Sequence, residues 1–190
     1  MSSHHIVKEG QEPALIVADW QEVDEAVLGE LLEWSPVVVV PSEHADELIA
    51  RQTKVDIAIG REALAFTQDT IQFIQTTAPF VDTAIRHLAT KGHTAAYLTS
   101  SDTAPQSLLA YVPDIVVTLF SEGMRYYPVR SGFTKWQPAG ESIYISPDEE
   151  VVCKGLEKVG QNTYRTTADG FFSLSFPMKY LVIGETAEMS

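Results

Sequence analysis

Four consecutive valines, Val37 to Val40, restrict the possible folds of this chain more than any other stretch. A β-branched run this short has no polar face to offer water. It asks for a strand buried on both sides, which a parallel sheet covered by helices supplies. Two other runs read the same way. Ala14-Leu15-Ile16-Val17-Ala18 follows Pro13 and ends at Asp19-Trp20, and Val55-Asp56-Ile57-Ala58-Ile59 stops at Gly60 and turns into Arg61-Glu62. Between the first two runs the spacing becomes helical. Val27, Leu28, Leu31 and Leu32 form one stripe, Glu25, Glu30 and Glu33 lie mostly off it, Asp24 is placed to cap the helix, and Pro36 ends it. Ser42 or Glu43 opens a second helix through Ala45, Leu48 and Ile49. The order is strand, helix, strand, helix, strand.

Thr70 to Gln75 carries strand-forming residues with partial alternation and reads as a fourth strand, with a short helix as the other possibility. After Pro79, the spacing of Val81, Ala84, Ile85 and Leu88 predicts a helix that closes at Lys91-Gly92, a basic last turn and a glycine cap. Thr94 to Leu98 and Ile115 to Phe120 are the fifth and sixth strands, separated by a short helix over Ser107 to Tyr111. Glu122-Gly123 then marks a hairpin into Met124 to Val129, and from there short alternating segments recur between glycine or proline turns: 133–136, 142–145, 151–154, 164–167, 171–176 and 179–183. The expected fold class is therefore an α/β N-terminal domain with a mostly parallel, Rossmann-like sheet, followed by a small all-β sandwich domain. The border falls near Ser121, giving domains 1–121 and 122–190.

Charge narrows the partners. Asp and Glu number 26 against 13 Lys and Arg, a net charge of −13 that repels nucleic acid and anionic membrane over most of the surface. No run approaches the roughly 20 apolar residues of a membrane span, and Met1-Ser2-Ser3-His4-His5 lacks the basic head and apolar stretch of a signal peptide. The single cysteine, Cys153, fits a reducing compartment, so the expected location is the cytoplasm. Gly-x-Ser-x-Gly, Gly-x-Gly-x-x-Gly and the phosphate-cradling Gly-x4-Gly-Lys-Ser/Thr loop are all absent, and His4, His5, His44, His87 and His93 show no zinc-like spacing. No metal site is expected. A protonated His93 beside Lys91 would suit the negative end of the helix dipole.

In open α/β sheets ligands bind outside the carboxyl ends of the strands, and Asp19, Ser42, Glu43, Gly60, Arg61, Glu62 and Asp102 all fall there. Together they could form a small polar pocket in which the Arg61 guanidinium pairs with a phosphate or carboxylate. Read as structure alone, they are loop charges and helix caps, with Arg61 paired to Glu62 or Glu43. Trp20 could stack on a planar ring at the same edge and Trp136 could do so from the β domain, while core packing or domain contact is the plainer role of each. Cys153 reads as a packed thiol.

The order of elements resembles the thiamine pyrophosphokinase family over nearly the whole chain. Ala18-Asp19-Trp20 stands where that family has Ala-Asn-Gly, and Ala45-Asp46-Glu47-Leu48 is similar to its Asn-Glu-Leu helix, preceded by Ser42-Glu43 where the family has Asp-Gly. Its third strand ends Ile-Gly-Asp-x-Asp-Ser; this chain has Ile59-Gly60-Arg61-Glu62-Ala63-Leu64. Phe80 occupies the place of the acid in a Thr-Asp pair, Thr99 to Gln106 stands for a longer glycine-rich loop, and the family's Ser-Asn-Glu is not found between Tyr164 and Glu185. The resemblance implies the family's fold and homodimer. The departures imply a protein that has kept the scaffold without the metal-dependent chemistry, since an arginine cannot hold the magnesium that bridges ATP phosphates. No cofactor is expected on that reading, and a small anionic or heteroaromatic ligand or a structural role remains. The alternative is an active kinase using ATP and Mg with relocated carboxylates from Asp19, Glu43, Glu62, Asp69, Asp82 or Asp102.

Overall fold

Both faces of the first strands are buried, as their composition requires: every residue of β1 (Ala14–Val17) and β2 (Val38–Pro41) is buried. The computed structural model describes residues 12–22, 25–62, 66–147 and 150–187, without the Glu22 side chain. Asp24, the expected cap of the first helix, lies outside them. Within β1 the side chains alternate between two cores. Ala14 and Ile16 face Ala84, Ile85 and Leu88 of α3 (Phe80–Thr90), whereas Leu15 and Val17 face Leu31 of α1 (Glu25–Trp34) and Leu48 of α2 (Ala45–Ala50). Helices on both faces leave no room for polar residues in the strands between them.

These strands form the parallel half of an 11-stranded mixed sheet. From β1 the chain steps outward through β2, β3 (Ile57–Gly60) and β4 (Gln72–Gln75), then crosses back so that β5 (Ala95–Thr99) pairs with the other side of β1 and β6 (Val116–Ser121) pairs with β5. The strand order thus reverses between β1 and β5. The strand expected over Thr70 to Gln75 forms over Gln72–Gln75, and the short helix expected over Ser107 to Tyr111 is a 3₁₀ turn at Pro105–Ala110. The end of α3 follows its glycine signal. Gly92 adopts φ +89°, its N–H donates to Ala89 at 3.0 Å and that of His93 to Leu88 at 3.1 Å. His93 departs from the expectation of a dipole-stabilising charge. Burial holds its pKa below the ordinary value, and its Nδ1 has no partner among the described residues.

Beyond β6 the chain continues the same sheet in antiparallel fashion. Glu122 and Gly123 both take positive φ, 51° and 72°, as the tight turn from β6 to β7 (Met124–Val129) requires. β14 (Leu181–Thr186), β9 (Ser142–Ser146), β12 (Thr163–Thr166) and β11 (Leu156–Gly160) follow outward in that order. A separate antiparallel sheet of β10 (Val152–Lys154), β13 (Gly170–Ser175) and β8 (Phe133–Gln137) packs on this half around Ile145, Phe172, Leu174 and Ile183. β11 has no counterpart in the sequence reading. It is an edge strand with four of its five residues exposed, so Leu156-Glu157-Lys158-Val159-Gly160 carries no buried alternation.

One buried carboxylate joins the two sheets. Glu185 on β14 is 4% exposed. It accepts Arg125 Nη2 at 2.7 Å and Tyr127 Oη at 3.1 Å from β7, and Lys135 Nζ at 2.5 Å and Gln137 Nε2 at 2.8 Å from β8. Burial pushes this carboxyl upward, but the Lys135 hydrogen bond and the charges of Arg125 and Lys135 outweigh it and hold the group below the usual carboxylate range. Tyr127 is pushed the other way, above the ordinary phenol value, by burial and by the neighbouring Glu185 charge.

Replacing Glu185 by Gln is expected to destabilise the fold at pH 7 by about 2 kcal/mol, less than for a fully buried pair because both cations are partly exposed. A carboxyl with a lowered folded-state pKa contributes its full stability above the ordinary value of 4.5 and loses it as the pH falls through the folded value. Urea unfolding of wild type and Glu185→Gln at pH 7 and pH 3 should therefore show a gap that narrows in acid. A gap independent of pH would contradict this account.

Candidate functional site

The carboxyl edge of the parallel half is lined by two hollows that meet at Pro79. The first, of about 610 Å³, opens where the strand order reverses, between the ends of β1 and β5. Both Ala18 and Asp19 donate their backbone N–H to the Thr99 carbonyl at 3.0 Å, which holds the two strand ends together at the mouth. The Asp19 carboxylate accepts the Gln21 N–H at 3.0 Å and the Ser101 hydroxyl at 3.2 Å, and Thr103 donates to Ser100 at 2.8 Å. Asp102, Trp20, His44 and Glu47 complete the wall. Trp20 carries the Arg51 guanidinium 3.8 Å from its ring centroid, so one face of the indole is already covered by a cation.

The second hollow, of about 590 Å³, lies outside β2, β3 and β4 and holds Ser42, Glu43, Gly60, Arg61 and Glu62 together with Thr76 and Thr77. Its floor is set by a close approach. A methyl group added to Gly60 would stand 1.9 Å from Ser42 Oγ, and that hydroxyl donates to Glu43 at 3.3 Å. Arg61 and Glu62 are exposed; among the described residues no ion pair joins Arg61 to Glu62 or to Glu43, in contrast to the pairing expected from sequence. Pro79 and Phe80 bring the start of α3 to the rim. No side chain caps that first turn, which directs free N–H groups toward the hollow, while Asp82 within the turn offsets part of its positive end.

The sequence-predicted residues therefore fall into two adjoining sets, Asp19, Trp20 and Asp102 in one hollow and Ser42, Glu43, Gly60, Arg61 and Glu62 in the other. Trp136 lines neither. It stands on β8 of the smaller sheet, 52% exposed and paired across the strands with Phe171, which is 75% exposed. His44, Glu47, Thr76, Thr77, Ser100 and Thr103 line the hollows without having been singled out. Thr76, Thr77, Ser100 and Thr103 were marked only by position in polar loops after strands, which many surface residues share, and His44 and Glu47 by lying at the start of the helix that follows β2.

A magnesium ion that bridges phosphates is held by one or two carboxylates, with phosphate oxygens and water in its remaining positions. Among the described residues no group of three Asp, Glu, His or Cys stands close enough to hold a metal ion. Of the acids open to relocation, Asp82 is taken up by Arg86 at 2.9 Å and the Tyr111 hydroxyl at 3.3 Å, Asp69 is exposed in the turn before β4, and the other four divide evenly between the hollows. Each hollow therefore offers two of these acids and, among the described residues, no converged triad.

This arrangement defines a mixed α/β fold with a polar crevice along the carboxyl edge of its parallel strands, one hollow of it at the point where strand order reverses. No protein-family profile and no curated protein matches the chain by sequence. Its fold is that of the thiamine pyrophosphokinases. The Bacillus subtilis enzyme superposes with a TM-score of 0.63 over 93% of this chain and 99% of its own, at 12% identity. Thiamin pyrophosphokinase from Geobacillus thermodenitrificans gives 0.64 over 93% and 97% at 12% identity, and that from Candida albicans 0.62 over 94% and 90% at 10%. The resemblance read from element order thus holds at the level of the fold, and no helix of the described residues is long and apolar enough to cross a membrane.

The Gly60–Ser42 contact sets the shape of the second hollow. Gly60→Ala is expected to cost about 1–3 kcal/mol in urea unfolding, because Ser42 cannot move aside without leaving its place between β2 and β3. An unchanged midpoint would show that the strand ends give way freely.

Proposed function

We propose that this chain is a thiamine pyrophosphokinase-like protein that binds a small anionic or heteroaromatic ligand along its carboxyl-edge crevice, with the metal-dependent transfer of diphosphate lost. The observation that carries the reading is Arg61, an exposed guanidinium without an ion pair among the described residues, placed beside the uncapped start of α3. Guanidinium and helix N–H groups both favour an anion and need no metal to do so. Glu43 and Glu62 flank the same hollow and disfavour a triphosphate, so the ligand's anionic end carries a low charge. The adjoining hollow supports the heteroaromatic end. Hydroxyls of Ser100, Ser101 and Thr103 and the Asp19 carboxylate offer donors and acceptors to a ring, and Trp20 offers an aromatic wall.

The same reading takes residues 1–121 as the α/β ligand-binding domain and 122–190 as a β-sandwich domain, paired as a homodimer in the cytoplasm. Its rival is an active kinase that transfers diphosphate from ATP to thiamine. The two differ in their need for magnesium.

Adenosine monophosphate, which joins a ring to one phosphate, is the probe. It should raise the melting temperature with or without magnesium, by an amount equivalent to about 2.7 kcal/mol at a hundredfold excess over Kd. Arg61→Glu should abolish the shift. A shift that requires magnesium and disappears in Glu62→Ala, or formation of thiamine diphosphate by the purified chain, would establish the kinase instead. If neither nucleotide nor thiamine alters the melting temperature, the crevice is not a binding site and the fold serves a structural role.

A further inference from the structure

A third cavity lies away from the carboxyl-edge crevice, in the trough between α1 and the smaller sheet. It measures about 340 Å³. One end is cationic. Arg125 and Lys135 reach it with side chains 33% and 28% exposed, and Glu185 beneath them is the one carboxylate among its described lining residues. Glu141 lies on the far side of the same clasp, lining a neighbouring hollow of about 300 Å³. Two positive charges therefore face one negative charge, in a chain that carries a net charge of −13.

Glu185 fixes these cations without exhausting them. Its two oxygens accept from Arg125 Nε and Nη2, from Tyr127, from Lys135 and from Gln137, which saturates a carboxylate. A guanidinium has five N–H donors and an ammonium three, so both retain donors beyond those directed at Glu185. The cations are also held still by a buried partner, so a second anion would meet them already ordered. The opposite end of the cavity is apolar. Leu31 of α1 forms the wall, and Tyr97 meets Phe120 edge to face at 5.7 Å beside it.

We infer that this trough is a second binding site, which takes a small carboxylate with a flat apolar body, its carboxylate between Arg125 and Lys135 and its body against Leu31 and Tyr97. The inference is independent of the crevice and of any nucleotide. A second carboxylate here would meet donors of Arg125 and Lys135 that Glu185 does not use, and the apolar end disfavours a strongly hydrated inorganic anion.

Sodium benzoate titrated into the full-length chain, followed by calorimetry and by amide chemical shifts, tests it. Saturable binding is expected, with shifts centred on Leu31, Tyr97, Thr118 and Lys135. Lys135→Gln should weaken the affinity by about tenfold or more through loss of one charged partner. Thr118→Trp fills the trough and leaves the Glu185 clasp in place; it should abolish binding, so the outcome does not depend on Lys135→Gln folding well. Arg61→Glu should keep the benzoate-dependent shifts at Leu31, Tyr97 and Thr118 while losing any at the crevice, which separates the two sites. Absence of saturable binding by wild type, sulfate at matched ionic strength binding as tightly as benzoate, or unchanged affinity in Thr118→Trp would each overturn the inference.

Discussion

Burial of the central strands on both faces is the constraint from which the rest of this molecule follows. Ala14 to Val17 and Val38 to Pro41 are buried throughout, so helices must cover both sides and successive strands must run parallel through crossovers. Parallel strands end at one common edge. Because β5 returns to the opposite side of β1, that edge splits between Asp19 and Ser100, and a crevice opens there before any particular side chain is chosen. What the side chains decide is its chemistry. Arg61 and the N–H groups at the start of α3 bring anion-binding donors to one hollow beside Glu43 and Glu62, and Asp19, Asp102 and the loop hydroxyls bring hydrogen-bonding capacity to the other.

The second organising interaction is electrostatic and lies where apolar packing alone would leave the sheets unregistered. Phe172, Leu174 and Ile183 press the smaller sheet onto the larger, but non-directional contacts tolerate sliding. Glu185, reached from β7 and β8 at once, gives the junction direction, since five donor atoms must converge on two oxygens. A buried charge of this kind is a weak source of net stability, and removing one of its partners leaves the others buried and unpaired. It also leaves cationic donors facing the trough beside α1. The same clasp that registers the sheets thereby prepares a second site.

Most of the first half of the fold was legible because its signals are local. Each apolar run, helical stripe and breaker such as Pro36 or Lys91-Gly92 acts within a few residues, and the strands and helices lie close to where these place them. The hairpin at Glu122-Gly123 was legible for the same reason, since its two positive φ values are demanded by the turn itself. β11 was not. An exposed edge strand with Glu157 and Lys158 in its middle has no buried face to pattern, and only pairing with β12 makes it a strand. His93 shows the reverse error, a residue read as a helix-end charge whose burial lowers its pKa and disfavours that charge.

The sequence by itself determined the parallel core, the turns and the set of polar residues standing after strands, because periodicity and backbone preference are properties of short stretches. Only the tertiary structure decided that those polar residues divide into two hollows, that Trp136 belongs to neither, and that Arg125, Lys135, Gln137 and Glu185 meet at all. Residues 60 positions apart, as Arg125 and Glu185 are, become neighbours through strand order, and strand order is set by how whole faces are buried.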